Sequence, residues 1–271
     1  MKTFLPAVLL AAMLAACGGS DSVAPGCTPG TADCDSTGTV TTGWVTKSMS
    51  VGGATYAYKV FVPANYNSVS SVPVILFMHG SGEKGTDNVK QTQVGLGPVV
   101  TAQAATFPAI VVFPQTPLGE GADPDPLATT AMAQTLAEYT KSDTKRLYLT
   151  GLSFGGVHSF DLAYRSPTQW AAYVPIAATI CPTCVTGTAT TTFAQALQLV
   201  PPALKNLPTW QFQGELDPSI STAQVRQIDS AFVSLGANYK YTEYAGAGHE
   251  IWDTVYGTAA MWSWLWAQKR P

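Results

Sequence analysis

The sequence predicts an α/β domain, a mostly parallel sheet with helices on both faces. Three observations point there. Residues 72–78 and 109–113 are continuous apolar runs, the pattern of strands buried on both faces. Helical patterns alternate with such strands through the rest of the chain. At 148–156 an apolar strand runs into Gly151-Leu152-Ser153-Phe154-Gly155 and then into a helical pattern, so a sharp strand-to-helix turn carries Ser153 at its apex.

Taken in order, 44–50 and 54–62 alternate polar and apolar residues around Gly52-Gly53 and predict a hairpin that opens the sheet. The strand at 72–78 leads into a glycine-rich loop beginning His79-Gly80-Ser81-Gly82. The strand at 109–113 leads into a Pro/Gly/Asp-rich loop, 116–126, and a helix over 127–140. A strand at 146–150 feeds the Ser153 turn, and the helix after it ends near Ser166-Pro167. A strand at 171–178 precedes an irregular insertion, 179–208, with one short helix at 193–199. The strand 209–214, a helix 222–235 stopped by Gly236, the strand 239–244 and an aromatic-rich helix 252–269 complete the domain.

Of 271 residues, 46% are apolar and 11% charged, enough to bury a large core. A net charge of −3 without any basic run argues against a nucleic-acid partner. Residues 1–17 read as a targeting segment, with Lys2 before an apolar run too short for a membrane span. The run ends Leu14-Ala15-Ala16-Cys17, which resembles the lipobox of bacterial lipoproteins. That resemblance implies cleavage before Cys17, lipid on its sulfur, and an exported protein held in the cell envelope. Gly18 after the cysteine points to the outer membrane where the cell has two. The alternative is an ordinary signal peptide and a secreted protein. Residues 18–42, rich in Gly, Ser, Thr, Asp and Pro, read as a flexible tether, leaving 43–271 as the folded domain. The other cysteines form two local pairs, Cys27–Cys34 and Cys181–Cys184. The second is a Cys-Pro-Thr-Cys for which a structural disulfide, a redox pair and a metal site are all possible; the disulfide is the expected state, since no thioredoxin-like context or nearby histidine surrounds it.

In a parallel sheet, reactive groups collect beyond the carboxyl ends of the strands. A serine hydroxyl needs a base, and the base an orienting carboxylate. Of the three histidines, His79 sits in the loop it is expected to brace, and His158 lies on the helix beyond Ser153. His249, in a glycine-rich loop after the last strand, is the expected base. Asp217, in a turn after 209–214, is the expected acid, preferred over Glu215. The order Ser153, Asp217, His249 is that of the strand–serine–helix hydrolases. The backbone N–H groups of Phe154 and Ser81 are the expected oxyanion donors, with Gly82 as the fallback. Trp252 is the expected pocket-lining residue, whereas Trp262, Trp264 and Trp266 are expected in the core. No metal or organic cofactor is expected.

With these residues in place, the chain resembles the α/β-hydrolase superfamily. Within it, the chain is similar to bacterial serine esterases of the polyhydroxybutyrate-depolymerase and feruloyl-esterase-like group. The resemblance rests on four blocks: His79 through Asn88, Gly151 through Gly156, Gly214-Glu215-Leu216-Asp217-Pro218, and Gly248 through Asp253. It implies an α/β-hydrolase fold and hydrolysis of carboxylic esters, small or polymer-borne, through a Ser-His-Asp triad. The chain departs from the group's pattern in having Lys84 for arginine, Phe154 where methionine is common, and its own loops at 116–126 and after Ala177. A prolyl-oligopeptidase-like peptidase and a non-catalytic lipoprotein binding module are the alternatives.

Overall fold

The computed structural model describes residues 39–119 and 123–271. The targeting segment, Cys17, the Cys27–Cys34 pair and nearly all of the tether lie outside the described residues. At the start of the described chain, Asn67 holds Val40 by two hydrogen bonds, at 3.2 and 2.9 Å.

The sheet has eight strands: β1 (Gly43–Val51), β2 (Ala54–Val62), β3 (Val72–Met78), β4 (Ile110–Pro114), β5 (Ser142–Leu152), β6 (Ala172–Ile176), β7 (Thr209–Gly214) and β8 (Tyr239–Tyr244). Their order is β1-β2-β4-β3-β5-β6-β7-β8. β2 pairs antiparallel with β1 and β4, and every other pairing is parallel. The helices are α1 (Leu96–Ala102), α2 (Asp125–Glu138), α3 (Ser153–Arg165), α4 (Pro182–Thr186), α5 (Phe193–Leu204), α6 (Thr222–Ser234), α7 (Trp252–Tyr256) and α8 (Ala259–Ala267).

Because strand side chains alternate, each central strand serves two cores. In β3, Val74, Leu76 and Met78 join the core beneath α2, α3, α5 and α6. Ile75 and Phe77 point the other way, into the core beneath α1, α7 and α8. Both faces are thus apolar, which is why β3 and β4 read as unbroken hydrophobic runs.

The structure departs from the sequence reading in four places. α1 was not expected; Gly97 and Pro98 obscure its pattern, yet Pro98 falls in the first turn, where no intrahelical N–H is needed. Gly97 is required there, since a Cβ would lie 2.0 Å from the Thr92 carbonyl oxygen. The insertion after β6 is more ordered than expected. α4 begins within the Cys-Pro-Thr-Cys, and Thr192 and Gln195 form a capping box that starts α5, which continues through Pro201 and Pro202. The final helix is two helices, broken at Gly257-Thr258, where Thr258 is extended and the Trp262 indole donates to the Tyr256 carbonyl at 2.7 Å. The strand expected at 146–150 begins four residues earlier, at Ser142, and its Asp143 pairs with Arg146. Among the described residues no helix is long and apolar enough to cross a membrane.

Leu76 is fully buried in the central strand. Leu76→Ala is expected to destabilise the domain by about 2–5 kcal/mol through transfer and cavity costs, read as a lowered urea midpoint with unchanged m-value.

Candidate active site

Two close backbone approaches create the site. At the β5–α3 turn, Ser153 has φ 50°, a left-handed conformation strained for a side chain. A Cβ on Gly155 would lie 2.3 Å from the Met78 carbonyl oxygen and 2.4 Å from that of His79. Only glycine therefore lets the first turn of α3 sit against the end of β3. On the other flank, a Cβ on Gly214 would lie 1.9 Å from the Gly248 carbonyl oxygen. That contact draws the loop after β7, which carries Asp217, onto the loop after β8, which carries His249.

Where the loops meet, His249 Nε2 lies 2.8 Å from Ser153 Oγ, and His249 Nδ1 lies 2.7 Å from Asp217 Oδ2. Asp217 Oδ1 accepts from the Ser219 and Ile220 amides at 2.8 and 2.9 Å. Oδ2 also accepts from the Gln213 side chain at 2.9 Å. The Asp217 side chain is shut off from solvent. Burial by itself raises its pKa, but the hydrogen bonds from His249 and the two amides outweigh it and hold the carboxyl below its ordinary value. An ionised carboxylate facing Nδ1 makes that nitrogen the donor, leaving Nε2 free to accept the serine proton. Glu215 does not compete for the histidine, since it accepts from the Gly246 amide at 2.7 Å and braces the loop before His249.

Gln213 was missed in the sequence. Its signal was a buried amide in the pattern Trp210-Gln211-Phe212-Gln213, where a strand between two cores should be apolar.

The loop after β3 borders the serine. A Cβ on Gly80 would lie 3.7 Å from Ser153 Cβ, so the Gly80-Ser81 backbone runs beside the hydroxyl. Ser81 starts a single 3₁₀ turn and Phe154 is the second residue of α3. N–H groups at the start of a helix have no acceptor within it and are open to a ligand. His79 braces the loop as expected. Its Nε2 accepts from the Thr116 amide at 2.9 Å, which leaves Nδ1–H to donate to the Gly80 carbonyl at 2.6 Å. Farther along, Gln115 accepts from the Asn88 amide and donates to Asp87 and to the Glu83 carbonyl. The Lys90 and Val89 amides lower the Asp87 carboxyl to about 2.

Trp252 packs edge-on against His249, ring centres 5.6 Å apart. It stands on a groove of about 960 Å³ between α1 and the α7–α8 pair. Val94, Val99, Phe107, Trp252, Trp262 and Trp266 supply much of its wall. Trp262 and Trp266, expected in the core alone, thus also face the groove. Glu83, Glu250 and Asp253 line it as well. Burial, reinforced by the Glu250 charge, raises the Glu83 carboxyl. The Phe154 ring does not line this groove; it packs at a tilt against His158, ring centres 4.5 Å apart, with the Lys84 ammonium 3.7 Å over its centre. Cys181 and Cys184 are disulfide-bonded across the start of α4.

A model of the dienelactone hydrolase family matches residues 121–254, which include all three members of the Ser153, His249 and Asp217 relay. The chain also matches the crystal structure of a thermostable esterase at 26% identity and a TM-score of 0.69, covering 84% of this chain and 63% of that one. The fold is that of the α/β-hydrolases. A ferulic acid esterase structure, at 17% identity and a TM-score of 0.62, covers 83% of this chain and 97% of that one, and shows the fold alone. This chain spans under two thirds of the thermostable esterase. No curated protein matches it.

The His79 geometry carries a pH dependence. Burial pulls its pKa from 6.5 to about 4, and a second ring proton would face the Thr116 N–H. The unfolded chain therefore binds this proton first as pH falls. Stability is expected to decline between pH 6.5 and about 4, by roughly 3 kcal/mol from this residue, and to level off below. Comparing urea midpoints of the wild type and His79→Gln across that range checks it; parallel curves would refute the assignment.

Proposed function

We propose that this chain is a serine esterase that cleaves carboxylic esters through an acyl-enzyme. The observation that carries the reading is the continuous relay from Asp217 through His249 to Ser153, at 2.7 and 2.8 Å. Ser153 Oγ attacks the ester carbonyl carbon while His249 Nε2 takes the hydroxyl proton. The negative oxygen of the tetrahedral intermediate accepts hydrogen bonds from the Ser81 and Phe154 amides, worth about 2.7–4 kcal/mol per donor. Collapse breaks the C–O bond to the alcohol, which leaves with the proton from His249. Water, deprotonated by His249, then attacks the acyl-serine; the carboxylic acid departs and Ser153 regains its proton. Asp217 stays ionised throughout and stabilises the imidazolium.

The groove at Trp252 suits the apolar or aromatic part of the ester, and its openness to solvent suits an ester borne on a larger molecule as well as a small one. Its three carboxylates, from Glu83, Glu250 and Asp253, repel acidic groups, so we propose an uncharged substrate. The Cys17 lipid anchor and export to the cell envelope remain part of the proposal, resting on the 14–17 motif.

Turnover of p-nitrophenyl acetate, butyrate and longer esters, set beside a peptide panel, tests the reaction. Ser153→Ala is expected to abolish turnover and fluorophosphonate labelling, and Asp217→Asn to lower kcat by roughly 10⁴-fold. Full activity in Ser153→Ala would sink the nucleophile assignment, and cleavage of peptides without esters would favour a peptidase. Glu250→Gln is expected to improve kcat/KM for a carboxylate-bearing ester and leave that for a neutral one nearly unchanged. In cells, Cys17→Ser should move the protein from the membrane to the soluble fraction; persistence at the membrane would reject the anchor.

A further inference from the structure

A second cleft lies between the segment entering α2 and the outer side of α3. It encloses about 430 Å³, and Lys84, Asp123, Phe154, His158, Asp161 and Arg165 line it. Here Asp123, Asp125 and His158 converge, with one ligand atom from each within 4.8 Å of the others. Asp125 Oδ1 lies 4.0 Å from His158 Nδ1, too far for a hydrogen bond. Asp125 is only 4% exposed. No N–H or hydroxyl donor among the described residues reaches either of its carboxylate oxygens, whose side-chain neighbour is another carboxyl, Asp161, and His158 Nδ1 has no hydrogen-bond partner.

A carboxylate removed from water needs a proton, a paired charge or a cation. The nearby cations are engaged elsewhere. Arg165 binds Asp161 through Nε and Nη2, at 3.0 and 2.8 Å, and the Lys84 ammonium sits over the Phe154 ring. His158 Nδ1, without a hydrogen-bond partner among the described residues, is a nitrogen of the type that commonly ligates such ions. One oxygen of exposed Asp123 accepts from the Asp125 amide at 3.0 Å, which fixes its carboxylate beside the cluster.

We propose that Asp123, Asp125 and His158 bind one divalent first-row cation, of the zinc or manganese class. Carboxylates mixed with an imidazole suit these ions, whereas calcium takes an all-oxygen shell. The sequence did not suggest the site, because its ligands lie on a loop, a helix start and a separate helix. The ion is structural. It ties the start of α2 to the second turn of α3, five residues beyond Ser153, where the His158 ring supports Phe154. It touches none of the reacting atoms, and the site stands whether or not Ser153 is a nucleophile.

The test uses the full chain, stripped with EDTA and titrated calorimetrically with zinc, manganese and calcium chlorides in turn, with Tm followed in parallel. Zinc or manganese is expected to bind one per chain and raise Tm. Asp123→Asn, at an exposed position, and His158→Gln should each weaken binding about tenfold or more while the circular dichroism spectrum stays that of the wild type. The proposal is overturned if folded wild-type protein binds neither zinc nor manganese at millimolar concentration, if calcium binds more tightly than both, or if Asp123→Asn binds as the wild type does. Loss of zinc binding in His249→Gln with Asp123→Asn unaffected would place the ion at the serine relay and also overturn it.

Discussion

The packing of α3 against the carboxyl end of β3 is the contact on which the site depends. The backbones come so close that any side chain at Gly155 would strike the Met78 and His79 carbonyls. This approach seats the first turn of α3 on the sheet edge, with the loop after β3 alongside. Ser153 is held in its left-handed conformation because the chain on both sides is already committed, in β5 by pairing with β3 and β6 and in α3 by burial. A strained residue costs on the order of 1–3 kcal/mol and persists only where its surroundings over-determine it.

The partners of Ser153 reach it by an independent route. Gly214 and Gly248 bring two loops together at the far strands, and this second contact sets the distance from Asp217 to His249. Asp217 is then fixed by hydrogen bonds from Gln213, Ser219 and Ile220 as well as from His249. A buried carboxylate so supplied with donors keeps its charge and its orientation, and it holds the imidazole in one orientation through Nδ1. The serine flank and the acid–base flank are therefore built by separate contacts and meet at the hydrogen bond between His249 and Ser153.

The two sides of α3's first turn face different surroundings. Trp252 and the α7–α8 aromatics open a groove next to His249, while the Phe154 ring turns away from it towards His158 and Lys84. The Phe154 side chain serves packing, against His158 and beneath the Lys84 ammonium. Its departure from the methionine common in similar esterases therefore bears first on the α2–α3 cleft and not on the groove. The wall of that groove comes largely from α1 and the final helices, the elements the sequence described least well.

What was legible in the sequence was local. The buried strands announced themselves as apolar runs, because each is covered on both faces. The Ser153 turn was visible because its glycines lie within a few residues of the serine they serve. Asp217 and His249 could be chosen from position alone, since parallel strands deliver their carboxyl ends to one edge. Tertiary structure decided the rest. α1 was hidden by Gly97 and Pro98, residues tolerated only because of where they fall against Thr92 and in the first helical turn. The last helix was divided at Gly257-Thr258, with the Trp262 indole capping the break. Gln213's support of Asp217, the tryptophan-lined groove, and the meeting of Asp123 and Asp125 with His158 all arise between elements. Residue type and spacing govern backbone conformation over a few positions, whereas a cavity or a cluster of ligands exists only once distant segments have packed.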